Sequence, residues 1–235
     1  LINTNKETLT IVWCDNGNTD GKFTEGLLNT VIQAQDVGIN VYAVARASGN
    51  QLARQRQSVF DNWEDSIKTD WLLWVDSDIV LTIESLKKLL KAGDKDSAKI
   101  VSGLYFVSPE PEKSLMMPIP CAYNFTNNME GMEHLTNLPN DQIIKVDVTG
   151  MGLILMHKSI IEPIRKVSEN NFAFAEKIFA GSKFVGEDVS FFINVRKAGI
   201  QPYLHTGATA DHIKRFTFDI NYHNFYWKHK NTPSN

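Results

Sequence analysis

A chain of 235 residues with 43% hydrophobic content is long enough to bury one large α/β core, and a single domain over residues 1–235 is the expectation. Its 24 basic and 27 acidic residues leave a net charge of −3, too balanced for an electrostatic footprint on nucleic acid or an anionic membrane. No apolar run reaches the length of a membrane span, and residues 1–6 lack the basic and apolar blocks of a secretory signal, so the sequence points to the cytoplasm. Cys14 and Cys121 show no zinc spacing and read as buried thiols in a reducing compartment.

Residues 8–14 are β-rich, and the polar loop 15–20 after them ends in capping residues. Phe23, Leu27, Val31 and Ala34 then mark one face of a helix that stops near Gly38. Residues 39–47 alternate as a second strand, and a second helix runs over about 51–67. Successive β-α units imply a three-layer α/β/α fold around a doubly wound, mostly parallel central sheet, which binds ligands beyond the carboxyl ends of its strands. Asp15, Asn16, Ser48 and Asp76 fall on that edge. No Gly-x-Gly-x-x-Gly or P-loop follows the first strand, so bound phosphate must be neutralised otherwise. Arg54, one turn into the second helix, is placed to reach a diphosphate or base, whereas Arg56 reads as part of a solvated helix face.

The chain is organised around residues 70–80, a short apolar run with large side chains that ends in Asp76-Ser77-Asp78. Such a run reads as a buried strand delivering two carboxylates to solvent. Two anions so close repel unless a cation sits between them, and a hard divalent ion with oxygen ligands serves best. The bland alternative is a strand-to-helix turn in which Asp78 only caps the next helix.

Residues 82–90 read as a helix and 100–106 as a strand. Residues 108–120, with four prolines and two methionines, are expected to form a long irregular loop. Residues 143–156 read as two short strands broken at Thr149-Gly150-Met151-Gly152, where the glycines permit a bulge or the close approach of a ligand. A short helix over 159–167 comes next. The helix over 186–199 opens with Glu187 and Asp188, which serve as dipole partners or face the cleft as a general base. His205 and His212 are each a metal ligand or a structural histidine. The aromatic tail, 216–235, is expected to pack as a helix on the body, or to line a sugar site or dimer contact.

In order, Ala53-Arg54, the strand from Trp71 through Asp76-Ser77-Asp78-Ile79, Gly103 to Phe106, Val146 to Gly152, Gly186-Glu187-Asp188 and the late His212 resemble glycosyltransferases of the GT-A fold. Family 2 enzymes and the fungal mannan-polymerase glycosyltransferases are the nearest likenesses. The resemblance implies a nucleotide-binding half over about 8–107 and an acceptor-side half over about 108–215. Asp78, Asp76 and His212 would hold Mn²⁺ or Mg²⁺ on the diphosphate of a UDP- or GDP-sugar. Asp76 or Ser77 would lie near the ribose, Arg54 near the nucleotide and Asn16 beside the base, with Asp15 and Ser48 on the same edge. Thr149, Gly150, Met151 and Gly152 would border donor sugar and acceptor. Asp188, with Glu187 beside it, would match the residue that deprotonates the acceptor hydroxyl in inverting members; the mannan-polymerase relatives retain configuration and need no such base.

Three alternatives remain open on the sequence. A haloacid-dehalogenase-type phosphatase would use Asp76 as nucleophile, but two β-α units precede the motif here and no later Gly-Asp-x-x-x-Asp is present. A sugar-nucleotide-forming nucleotidyltransferase would want a glycine-rich basic loop after the first strand. A non-catalytic sugar- or nucleotide-binding module would explain the aromatic tail but not two carboxylates ending a rigid strand.

Overall fold

The computed structural model describes residues 7–108, 118–126, 131–179, 183–214 and 220–230. In chain order these form β1 (Leu9–Asp15), α1 (Gly21–Asp36), β2 (Val41–Ser48), α2 (Leu52–Asn62) continued by a π-helical turn (Trp63–Ile67), β3 (Trp71–Val75), β4 (Ile79–Val80) and α3 (Ile83–Ala92). Then come β5 (Ile100–Leu104), β6 (Phe106–Val107), β7 (Ile119–Pro120), β8 (Ala122–Phe125), β9 (Met132–His134), β10 (Ile143–Lys145), β11 (Val148–Thr149), β12 (Leu153–His157) and α4 (Ile161–Val167). The last elements are β13 (Lys177–Phe179), β14 (Lys183–Val185), α5 (Glu187–Lys197), β15 (Tyr203–Thr209), β16 (Asp211–His212) and α6 (Ile220–Lys230).

The central sheet has seven strands in the order β10-β15-β5-β12-β3-β1-β2. Five run parallel to one another, while β12 and the edge strand β10 run against them. Every residue of β3 is buried, which is why its sequence is apolar throughout rather than alternating. Trp71, Leu73 and Val75 face a core shared with α1 and α3; Leu72 and Trp74 face one shared with α2, α4 and α5. Three layers result.

Local chemistry sets the ends of these elements. The Asp20 carboxylate accepts from the Lys22 amide and starts α1, which gives way to Gly38 at φ +73°, a conformation glycine adopts without strain. The Thr82 hydroxyl accepts from the Ser85 amide and starts α3, whose buried Ile83, Leu86, Leu89 and Leu90 form its core face.

Two expectations need correction. Residues 143–156 form three strands, not two, because each joins a different partner: β10 pairs with β15, β11 with β8 and β12 with β3 and β5. The expected break is present between Thr149 and Leu153, and a further one falls at Val146-Asp147, where the Asp147 carboxylate accepts from the Phe125 amide. Residues 119–120, expected to be irregular, pair as β7 with β6; residues 109–117 of that loop lie outside the described residues. In the tail, α6 forms over Ile220–Lys230, and residues 215–219 and 231–235 lie outside the described residues.

Candidate active site

The carboxyl ends of β1 and β2 meet where Asp15 stands beside Ser48. Asp15 is buried and accepts from Arg46 at two 2.6 Å contacts, from the Gly17 amide at 2.7 Å, from Trp13 Nε1 at 2.8 Å and from the Ser48 hydroxyl at 3.2 Å. The Arg46 hydrogen bonds hold its carboxyl well below the usual range. Asp15 thus fixes the ends of two strands, while Asn16 beside it is exposed. Ser48 and the exposed Arg54 line one groove of about 740 Å³ between β2 and α2, together with Gly49, Asn50, Gln51 and Gln55.

Asp76 and Asp78 do not share surroundings. The strand ends at Val75, and the Ile79 amide donates to the Asp76 carbonyl at 2.9 Å, closing a turn in which strand alternation no longer applies. Ser77 sits at its bend, half-buried, its carbonyl accepting from the Asp20 amide. Asp76 turns to Arg56, whose Nη2 lies 3.2 and 3.3 Å from its two oxygens. Arg56 also donates to Glu187 at 2.8 Å and lies over the Trp74 ring at 5.8 Å. The reading of Arg56 as solvated is therefore wrong: it is 3% exposed. The spacing held the signal, since Arg56 stands one helical turn before Val59 and Phe60 and two before Trp63, all buried, and so shares their face. Burial opposes its charge, and Asp76, Glu187 and Asp188 outweigh that and keep it protonated.

Asp78 is met from the far end of the chain. β16 pairs antiparallel with β4, setting His212 against Ile79, and the Ile213 amide donates to the Asp78 carbonyl at 2.7 Å. This ladder brings His212 Nε2 to 3.1 Å from Asp78 Oδ2, with Lys214 Nζ at 2.9 Å from the same oxygen. Burial pushes the Asp78 carboxyl up, but His212 and Lys214 hold it down to about 2. His212 is oriented by its other nitrogen, 2.8 Å from the Phe106 carbonyl, and by the edge of the Tyr105 ring at 5.4 Å. His205 lies earlier, in β15, its Nδ1 accepting from the Gly207 amide. Lys214 carried no sequence signal of its own, and Tyr105 entered only as part of the stretch Gly103 to Phe106.

Thr149, which ends β11, and Gly150 to Gly152, which lead into β12, reach the same edge. The Gly152 carbonyl accepts from the Asp76 amide at 2.9 Å, and its own amide donates to the Tyr105 hydroxyl at 3.1 Å. All four residues are buried, and Thr149 shares a 2.7 Å hydrogen bond with Ser102. A Cβ at Gly150 would overlap the Tyr105 hydroxyl and the Cys121 sulfur, and one at Gly152 would lie 2.8 Å from the Tyr105 ring. The close approach that these glycines permit is thus to Tyr105.

Glu187 and Asp188 open α5, and Gly186, the residue before them, makes no side-chain cap. Asp188 Oδ1 accepts from the Val189 amide at 2.7 Å. Burial raises the Asp188 carboxyl above its usual range; Arg56 pulls it back, and Glu187 and Asp76 push it further up. Cys14 and Cys121, as expected, are buried and unbridged, and burial pushes the Cys14 thiol up to about 12, which leaves it inert.

Among the described residues no group of three or more His, Cys, Asp or Glu converges on one point. The donors that fit a divalent ion are the pair Asp78 and His212, a carboxylate and an imidazole that leave further positions to phosphate and water. Asp76 stands apart from that pair because Arg56 holds it.

No family model matches the sequence, and no curated relative does. Among solved structures, the chain is similar to GalNAc-T7 crystallised with UDP, GalNAc and Mn²⁺, with a TM-score of 0.52 and 11% identity over 89% of this chain and 44% of that one. Its fold is GT-A. The chain spans under half the length of the GalNAc-T7 chain. Two weaker likenesses are the A197 protein from STIV (TM-score 0.47, 16% identity, 89% of this chain and 86% of that one) and a Drosophila β1,4-galactosyltransferase 7 mutant in complex with manganese, UDP-Gal and xylobiose (TM-score 0.48, 13% identity, 92% and 79%). Identities this low establish a fold and nothing further, and of these three it is the match at 0.52 that carries it. No helix among the described residues is long and apolar enough to cross a membrane.

Proposed function

We propose that this chain is a metal-dependent glycosyltransferase that moves a sugar from a UDP- or GDP-sugar to a hydroxyl acceptor, a glycan being the natural class. The observation that carries the reading is the Asp78–His212 pair, assembled from residues 134 apart on the carboxyl edge of a GT-A sheet. GalNAc-T7, which shares the fold, was crystallised with a nucleotide, a sugar and Mn²⁺. In the proposed site Asp78 and His212 hold Mn²⁺ or Mg²⁺. Held there, the ion would supply the positive charge that stabilises a departing diphosphate.

The chain's own residues do the rest. Ser48, Arg54 and Asn16 lie along the edge that would receive the nucleotide, with Arg54 suited to a phosphate. Asp76, held by Arg56, is available to the ribose with Ser77 through the part of its carboxylate that Arg56 leaves open. Asp188 accepts the proton of the acceptor hydroxyl as that oxygen bonds to the anomeric carbon and the bond from this carbon to the diphosphate oxygen breaks. A carboxyl raised by burial suits a general base, because its affinity for the proton is closer to neutrality. Glu187 stays paired with Arg56 and positions the start of α5.

Calorimetric titration of UDP and GDP, each with Mn²⁺ and with EDTA, tests the reading on the wild type and on Asp78→Ala. The expected result is metal-dependent binding of one nucleotide, lost in the variant with the fold retained by circular dichroism. Binding indifferent to both Mn²⁺ and Asp78 would overturn the metal assignment, and no binding of either nucleotide would overturn the transferase.

A further inference from the structure

His212 and Lys214 share one oxygen of Asp78, and the chain holds the two side chains in opposite ways. His212 Nε2 lies 3.1 Å and Lys214 Nζ 2.9 Å from Oδ2. The His212 side chain is 11% exposed, and its plane is fixed by the Phe106 carbonyl, 2.8 Å from Nδ1, and by the Tyr105 ring. Lys214 comes two residues after β16, where the Ile213 amide donates to the Asp78 carbonyl at 2.7 Å. That bond pins the backbone beside Asp78 and leaves the lysine stem, 52% exposed, free to swing.

A divalent ion on Asp78 and His212 is compatible with the place of His212. The 3.1 Å between Oδ2 and Nε2 matches adjacent corners of an octahedron, which stand about 3.0 Å apart when each ligand is about 2.1 Å from the ion. It is not compatible with the place of Lys214. An ammonium and a dication on the same carboxylate oxygen repel each other, and the group with the flexible stem is the one that yields. Asp76, the other carboxylate of the turn, is already held by Arg56. The anion that arrives together with the ion is the diphosphate of the proposed donor.

We infer that Lys214 is a displaceable cation that couples the two ligands: in the free protein its ammonium sits on Asp78, and when an ion takes that oxygen the ammonium moves to the phosphate oxygens of the donor. The inference rests on the transferase reading. It makes the coupling reciprocal, because the ion releases the lysine that the diphosphate engages, and the diphosphate keeps that lysine away from the oxygen the ion needs. Lys214 therefore opposes the ion when no nucleotide is present and supports the nucleotide when the ion is bound. No covalent bond changes in this exchange.

Calorimetric titration of Mn²⁺ alone, and of UDP and GDP at saturating Mn²⁺, tests it on the whole chain as wild type, Lys214→Met and Lys214→Arg. In Lys214→Met the two constants should move in opposite directions: Mn²⁺ alone binds about threefold tighter, and the nucleotide about tenfold weaker. Lys214→Arg, which keeps the charge, should return both toward the wild type. Removing a charge at a distance would give the same signs through the long-range field. The series is therefore repeated in about 0.5 M NaCl, where the screening length falls to about 4 Å and a direct contact keeps its effect. Mn²⁺ that binds Lys214→Met no more tightly, or a nucleotide that binds wild type and Lys214→Met equally in high salt, would overturn the role of Lys214 and leave the transferase reading standing. A wild type that binds neither nucleotide would overturn both.

Discussion

Asp76 and Asp78 stand two residues apart on one turn, yet their counter-ions differ in every respect that matters. Asp76 is held by Arg56, a cation 3% exposed that also carries Glu187 and rests on Trp74. Asp78 is held by His212 and by Lys214, whose side chain is 52% exposed. A cation anchored in the core acts as a fixed part of the fold, whereas one reaching in from solvent can leave when a ligand arrives. The contrast assigns the two carboxylates different work: Asp76 belongs to a buried network that shapes the cleft, and Asp78 is the one that can exchange partners.

The largest effect should come from the buried side. Replacing Arg56 with Met leaves Asp76, Glu187 and Asp188 without their shared cation, and urea denaturation at pH 7 should show a loss of about 3–5 kcal/mol. A loss under about 1 kcal/mol would mean that water already screens this network and would erase the contrast. Asp188 should respond in the opposite sense. Its folded pKa lies above the unfolded value of 3.8, so its contribution favours folding at low pH and is lost as pH rises through the folded pKa. Asp188→Asn should therefore be more stable than the wild type at pH 7, with the gap closing toward pH 4, while transfer to acceptor is abolished; equal stabilities at pH 7 would mean that Asp188 is solvated.

The smallest effect belongs to Asp78. Its folded pKa of about 2 lies below the unfolded 3.8, so its contribution is present above pH 3.8 and fades as pH falls toward 2. Because the side chain is 39% exposed, solvent screening should keep the difference between wild type and Asp78→Asn under about 1 kcal/mol at pH 6. Acid titration of both proteins by circular dichroism would reveal it as a gap that closes on acidification.

Much of the local structure was legible because local rules govern it. The apolar run at Trp71–Val75 could only be a buried strand, and Asp20, Thr82 and Gly38 mark helix ends by chemistry that needs no tertiary context. Arg56 was misread because charge was weighed above its place on the Val59-Phe60-Trp63 face. The glycines at 150 and 152 fitted either a bulge or a ligand, and nothing near them in sequence announces Tyr105, which lies 45 residues before Gly150, between β5 and β6.

By itself the sequence determined the α/β order, the buried strand, the carboxylates that end it and the inert cysteines, since each comes from periodicity, capping or burial within one element. Only the tertiary structure decided which groups those carboxylates meet. The turn at Ser77 sends Asp76 toward α2 and leaves Asp78 to β16, while β12 enters antiparallel between β3 and β5 and brings the Gly152 carbonyl to the Asp76 amide. These are contacts between residues tens to more than a hundred positions apart. They depend on strand order and register, which hydrophobic pattern alone does not specify.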